Sequence, residues 1–256
     1  MSLRTTARVS RNGRLREELT IDYPMSVCSQ RGHSGRTPPR DCATATVPDP
    51  TPREPVQLVL ASASPGRLKT LRQAGLDPVV EVSGIDEARE TSPDAVSLVG
   101  RLATLKARAV ASRLGSSRLR TLVLGCDSAL EFDGVTYGKP LDAVEAVQRW
   151  LVMRGSCGTL HTGHCVVDVQ NDREVTRTAS TQVWFGQVSE AEIADYVASG
   201  EPLAVAGAFT IDGLGGPFVD RVDGDPHNVV GLSLPLVREM LAGFGVSWTS
   251  LWTRQP

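Results

Sequence analysis

Between Ala61 and Lys69 an apolar run gives way to tiny residues, then to a proline, a glycine and two cations: Ala-Ser-Ala-Ser-Pro-Gly-Arg-Leu-Lys. Ser64 followed by Pro65 is a helix start, because the serine hydroxyl caps the first amides and proline stands where no donor is needed. The free amides and dipole of such an end attract anions. Small residues before it let a ligand approach the backbone, and Arg67 and Lys69 add charge one turn in. Two readings stay open on this stretch alone: a phosphate cradle, or a well-capped helix with solvated cations.

Three further places carry residues suited to the same chemistry. Asp127 ends the apolar stretch 121–126, and the ends of strands are where α/β proteins hold ligands. Lys139, in Gly-Lys-Pro, returns toward it from a hairpin. A carboxylate and a lysine so disposed suit metal-assisted or general-base hydrolysis of a phosphate ester or anhydride, against the plainer readings of a turn cap and a solvated loop cation. Asp86 and Glu87 follow another strand and could hold Mg²⁺ or simply begin a polar loop. Lys106 lies beside Leu102, Leu105 and Ala109 on a predicted helix, either snorkelling at the edge of an apolar stripe or touching a ligand. His161 and His164, three apart on a predicted strand, point to opposite faces and do not form a shared metal site. Cys126, in an apolar strand beside Asp127, is read as packing with a raised thiol pKa. The Walker, Gly-x-Ser-x-Gly and His-Glu-x-x-His patterns are absent from the chain.

The elements that must hold these residues follow from the apolar spacing. Strands are predicted at 56–61, 79–83 and 121–126, with helices at 65–75, 94–114 and 142–153. Asp133-Gly134 between two β-type runs marks a tight hairpin, and Asn171-Asp172 turns a longer one. A helix at 189–199 stops at Gly200. A glycine-rich loop at 213–216, a strand beginning at Pro217 and a last helix from about 235 to 243 close the chain. The fold class is α/β: a central mixed sheet with flanking helices, the long hairpin forming a second lobe across a cleft.

Length and composition bound the rest. The chain has 256 residues and a net charge of -2, so no global basic field recruits nucleic acid or a membrane surface. No apolar stretch approaches the roughly 18 residues of a membrane span. Five scattered cysteines without a Cys-x-x-Cys pair fit reduced cytoplasmic thiols. Residues 1–55 are rich in Pro, Ser, Thr and Arg and lack apolar periodicity, and are read as a disordered or non-native tail before a domain spanning 56–256. No apolar core follows the early arginines as a secretory signal requires, and Glu17, Glu18 and Asp22 oppose a transit peptide.

In their order and spacing, LVLASASPGR, SGIDE, LATLKARAVA, GCDS, YGKP, YVASGEP, AGAFTIDGLGG and VDGDPHNVVGLSLPLV resemble the Maf family of nucleoside triphosphate pyrophosphatases, actinobacterial type, over residues 56 to about 245. The resemblance implies a two-lobed, often dimeric α/β fold that hydrolyses nucleoside triphosphates to monophosphate and pyrophosphate. It implies a divalent cation, Mg²⁺ or Mn²⁺, a role in clearing the nucleotide pool and a link to septum formation. Carried over by position, Asp127 is the catalytic carboxylate, and Ser62, Ser64 and Arg67 belong to the phosphate-binding loop. Lys106 and Lys139 meet the polyphosphate, Ser128 stands where threonine is common beside the substrate, and Glu87, Asp127 and Glu201 are the acidic metal-side positions.

Two departures bear on specificity. Gly66 replaces the first arginine of the usual Ser-Pro-Arg-Arg. Asp212 stands where members acting on dTTP and UTP usually carry glutamine; an ionised carboxylate only accepts, which favours a base that offers N–H donors, such as guanine. The alternative reading is a nucleotide-binding regulator of cell division that acts through a partner. A single-strand nucleic-acid binder is disfavoured, since aromatics make up only 5% and no basic aromatic groove is apparent.

Overall fold

The computed structural model describes residues 3–9, 15–21, 55–115 and 119–253. The chain divides into two compact units, Met1–Asp49 and Pro50–Pro256. In the first, β1 (Leu3–Val9) and β2 (Leu15–Ile21) pair antiparallel from Leu3 opposite Ile21 to Val9 opposite Leu15. The sequence reading placed no strand there; the rest of the expected tail up to residue 54 lies outside the described residues, as do Cys28 and Cys42.

The second unit is mixed α/β, a seven-stranded mixed sheet with six helices among the described residues. In chain order come β3 (Val56–Ala61), α1 (Pro65–Gln73), β4 (Val79–Val80), α2 (Ala95–Leu114), β5 (Arg120–Phe132), β6 (Val135–Tyr137) and α3 (Ala143–Met153). They are followed by β7 (Cys157–Asp168), β8 (Arg173–Phe185), α4 (Glu190–Ala198), β9 (Val219–Asp223), α5 (Pro226–Val230) and α6 (Leu234–Gly243). The strand order is β4-β3-β5-β7-β8-β9, with β6 on β5. β4, β3 and β5 run parallel, and α2 is the crossover that a parallel β3–β5 pair requires. The remaining pairs are antiparallel, β5–β6 and β7–β8 as hairpins; the one between β5 and β6 turns at Asp133 and Gly134, both at positive φ.

Alternation along the strands assigns each residue a face. Leu58, Leu60, Leu122 and Leu124 pack with Leu71, Val237 and Leu241 under α1 and α6. Val59, Ala61 and Val123 pack with Ala103, Ala107 and Val110 under α2. Both faces are covered, which is why these strands read as unbroken apolar runs. Beyond β3 the long strands continue into a separate core: Leu130, Leu160, Val183 and Phe185 surround Trp150 of α3 with Ile193 and Tyr196 of α4. The second lobe expected from the long hairpin is therefore the far end of the same sheet.

Two strand lengths differ from the sequence reading, for one reason. β3 stops at Ala61, opposite Gly125. Its pairing with β4 ends one residue earlier, at Leu60 opposite Val80, so β4 ends at Val80 instead of residue 83. Conversely β5 does not end before Asp127; pairing with β7 carries it on to Phe132, and Asp127 lies in mid-strand opposite Gly163. On the β3 side, β5 residues 126–129 fall in a gap between the end of β3 and the start of the β6 pairing. The C-terminal end of β3 therefore lies beside this gap, next to Asp127. Among the described residues no helix is long and apolar enough to cross a membrane.

Candidate active site

Asp127 and Ser128, as neighbours on a strand, face opposite sides of the sheet, and each meets a different cation. Asp127 faces α2. That helix lies close on the sheet because β5 and β7 offer it glycines: a Cβ on Gly125 would stand 2.3 Å from the Ala103 carbonyl, and one on Gly163 2.2 Å from that of Val99. The close approach brings Lys106 down to Asp127. Its Nζ donates to Asp127 Oδ1 at 2.5 Å and pairs with Glu87 Oε1 at 2.7 Å. Lys106 is therefore neither a snorkelling residue nor solvated; it is buried with Asp127 and joins two carboxylates.

The environment separates the two acids. Burial pushes the Asp127 carboxyl above its ordinary value, against the charges of Lys106 and Arg67. Burial acts on Glu87 in the same sense, but the Lys106 hydrogen bond and charge, joined by the charges of Lys139 and Arg67, outweigh it and hold Glu87 below its ordinary value. Glu87 stands in a single 3-10 turn, Glu87–Arg89.

Ser128 faces α1 and meets Arg67. The Arg67 guanidinium donates from Nε to the Gly231 carbonyl at 2.8 Å and from Nη1 to Ser62 Oγ at 3.0 Å and the Cys126 carbonyl at 2.9 Å. Its Nη2 donates to Ser128 Oγ at 3.0 Å. Four of its five N–H groups are thus committed to the protein. Ser128 passes the chain on to Thr162 Oγ1 at 3.0 Å, which donates to the Asn228 carbonyl at 3.1 Å. Arg67 fastens together the end of β3, the middle of β5 and the α5–α6 junction. Ser64 caps α1 as expected, accepting from the Arg67 amide at 3.4 Å, with Pro65 at the first helical position. Gly66 faces α5: a Cβ there would stand 3.3 Å from Val230 Cγ1, so this departure belongs to helix packing.

The other expected residues are placed differently. Lys139, exposed between β6 and α3, acts on Glu87 through its charge. Asp212 is paired with Lys69, Oδ2 to Nζ at 3.1 Å, and its Oδ1 accepts from Thr210 Oγ1 at 2.7 Å. Glu201 is not joined to Lys106, Asp127 or Glu87 by any contact among the described residues. Its Oε1 accepts from Tyr196 Oη and the Gly215 amide, and its Oε2 from the Leu214 amide, each at 2.9 Å. It anchors the glycine-rich loop. Burial pushes the Cys126 thiol up to about 12, in keeping with a packing role. His161 and His164 do take opposite faces: His161 Nδ1 meets Ser180 Oγ at 2.8 Å, while His164 Nε2 accepts from the Ser233 amide at 2.9 Å. Thr162, Asn228 and Gly231 were not singled out by sequence reasoning; the signal in reach was the run Asn-Val-Val-Gly, whose contribution is mostly backbone carbonyls.

Residues 57–244 match the model of the family described as Maf-like protein. The chain belongs to that family. Curated relatives match over nearly their whole length. A protein of Salinispora tropica is 59% identical over 201 residues, 78% of this chain and 89% of its own. One of Streptomyces coelicolor is 55% identical over 202 residues, covering 79% and 97%. A protein of Microcystis aeruginosa is 47% identical over 197 residues, covering 77% and 99%. Each of the three is named nucleoside triphosphate pyrophosphatase.

Proposed function

We propose that this Maf-like chain hydrolyses nucleoside triphosphates, noncanonical or modified ones among them, to the monophosphate and pyrophosphate, and so clears the nucleotide pool. The names of the relatives support the reaction class. The observation that carries the reading is the Lys106 ammonium joined to both Asp127 and Glu87, with Arg67 bonded to the two residues that flank Asp127 in the strand.

Two carboxylates converging on one cation mark a place that accepts positive charge, and hard oxygen donors suit Mg²⁺ or Mn²⁺. Among the described residues no group of three His, Cys, Asp or Glu side chains could hold a metal. Asp127 and Glu87 would therefore share the ion with water and phosphate oxygens. Bound there, such an ion supplies neutralisation of charge on the phosphates. Glu201, committed to its loop, stays outside that set.

The chain's own groups do the rest. Asp127, a carboxylate with a raised pKa, accepts the proton of a water molecule whose oxygen bonds to the α-phosphorus. The bond from that phosphorus to the bridging oxygen breaks, and pyrophosphate leaves with the electron pair. Ser62 and Ser64 at the start of α1, the remaining Arg67 N–H and the Lys139 ammonium face the charge on the leaving group. Lys69 beside Asp212 adds a donor to the carboxylate acceptor, the combination a glutamine amide supplies. Pyrimidine and guanine edges both offer a matching pair, so Asp212 does not restrict the site to purines. A homodimer, a cytoplasmic site of action and freedom from stable nucleic-acid or membrane contact belong to the same reading. The test is a panel of triphosphates with Mg²⁺ or Mn²⁺, scored for pyrophosphate. Release of orthophosphate alone, or no turnover of any nucleotide, overturns the reading.

A further inference from the structure

The segment that carries Lys139 is gripped by two side chains one turn apart on α3. Arg149 Nη1 donates to the Gly138 carbonyl at 2.6 Å, and Nη2 reaches the Lys139 carbonyl at 3.5 Å. Nε and Nη2 also hold Glu145 Oε1, at 3.1 and 2.5 Å, and the guanidinium carbon lies 4.9 Å from the centre of the Tyr137 ring. Glu145 closes the frame, its Oε2 accepting from the Leu141 amide at 2.7 Å. The pair thereby holds a ring at residue 137, carbonyls at 138 and 139 and an amide at 141. The Gly138 carbonyl takes a second bond, from the Gly207 amide at 3.0 Å, just ahead of Thr210 and Asp212.

Arg149 is buried, on a helix whose other buried residues are Ala146, Trp150 and Met153. A guanidinium is a costly way to fill such a place, and an apolar side chain of similar volume would pack there without desolvating a charge. Its donors go to the loop backbone and to Glu145, the residue that completes the same grip. The Lys139 side chain, in contrast, makes no hydrogen bond or ion pair among the described residues, so its aim depends on the backbone beneath it.

We infer that Arg149, supported by Glu145, is a positioning residue for Lys139, fixing the 137–141 backbone so that the ammonium is delivered toward Glu87 and the polyphosphate. This rests on the reading of Lys139 as a phosphate contact. The experiment is a double-mutant cycle on the full chain: kcat and KM for pyrophosphate release by wild type, R149M, K139A and the double variant, with R149K and E145Q alongside. R149M should lower kcat/KM on the order of ten- to hundredfold, mainly through KM, since small misplacements of a binding group cost that much. R149K should recover part of the loss and E145Q should move in the same direction. On the K139A background R149M should change kcat/KM by less than about twofold, the mark of two residues acting as one. Wild-type kinetics in R149M, or an equal loss with and without Lys139, overturns the positioning role and leaves the Lys139 contact standing. Wild-type kinetics in K139A overturns both. Should R149M not fold, E145Q carried through the same cycle decides.

Discussion

Asp127 is both deeply buried and charged, and its neighbours reconcile the two. Burial raises its pKa while Lys106, held in turn by Glu87, keeps a cation against it; the result is a base closer to neutrality than an exposed aspartate. His164, on the opposite face of the sheet, has no such partner. Burial, and then the charge of Arg67, depress it from 6.5 to about 3, so it stays neutral in the fold and takes a proton only on unfolding. The unfolded chain binds that proton once pH falls below its ordinary value, so stability is lost as pH drops from about 6.5 toward 3, by about 1.4 kcal/mol per unit. Chemical denaturation across this range should show a shallower acid limb in His164→Gln, which keeps an acceptor for the Ser233 amide. An unchanged slope would contradict the assignment. At this scale the sequence marked Asp127, Glu87, Lys106 and Lys139 as candidates by residue type and by the family resemblance. The role of Arg67 was not legible there, since two of its acceptors are carbonyls 59 and 164 residues away, on residues whose types say nothing about accepting.

Among the elements, the period of β5 decides the site. Alternation sends Asp127 to α2 and Ser128 to α1, and glycines in β5 and β7 let α2 come close enough for Lys106 to reach the strand. The apolar runs made the strands and helices legible, but where β3 would stop against β5, and so where the gap would open, depended on pairing that no local pattern encodes. Glu201 shows the same limit. Its sequence context suggested a place among the metal-side acids, whereas its oxygens hold Tyr196 and two amides of the loop at 213–216. Glu201→Ala should therefore speed hydrogen exchange at Leu214 and Gly215, removing two acceptors worth about 1–3 kcal/mol each, and leave the Mg²⁺ concentration dependence of turnover unchanged. A selective loss of Mg²⁺ affinity with unaltered exchange would restore the metal-side role.

On the scale of the second unit, one continuous sheet carries three cores, one beneath α1 and α6, one beneath α2 on the opposite face and one around Trp150, and the site lies along β5, the strand that contributes to all three. The family match begins at residue 57, close to where β3 starts, and the second compact unit runs from Pro50. Removal of residues 1–54 should leave thermal stability and turnover within error of the full chain; a large fall in either would mean that the first unit supports the second. The central claim, that Asp127 accepts the proton of the attacking water, is tested most directly by Asp127→Asn. Pyrophosphate release should fall roughly 10²–10⁴-fold, the usual contribution of a general base, while nucleotide binding persists. Turnover equal to wild type with the same binding would contradict it.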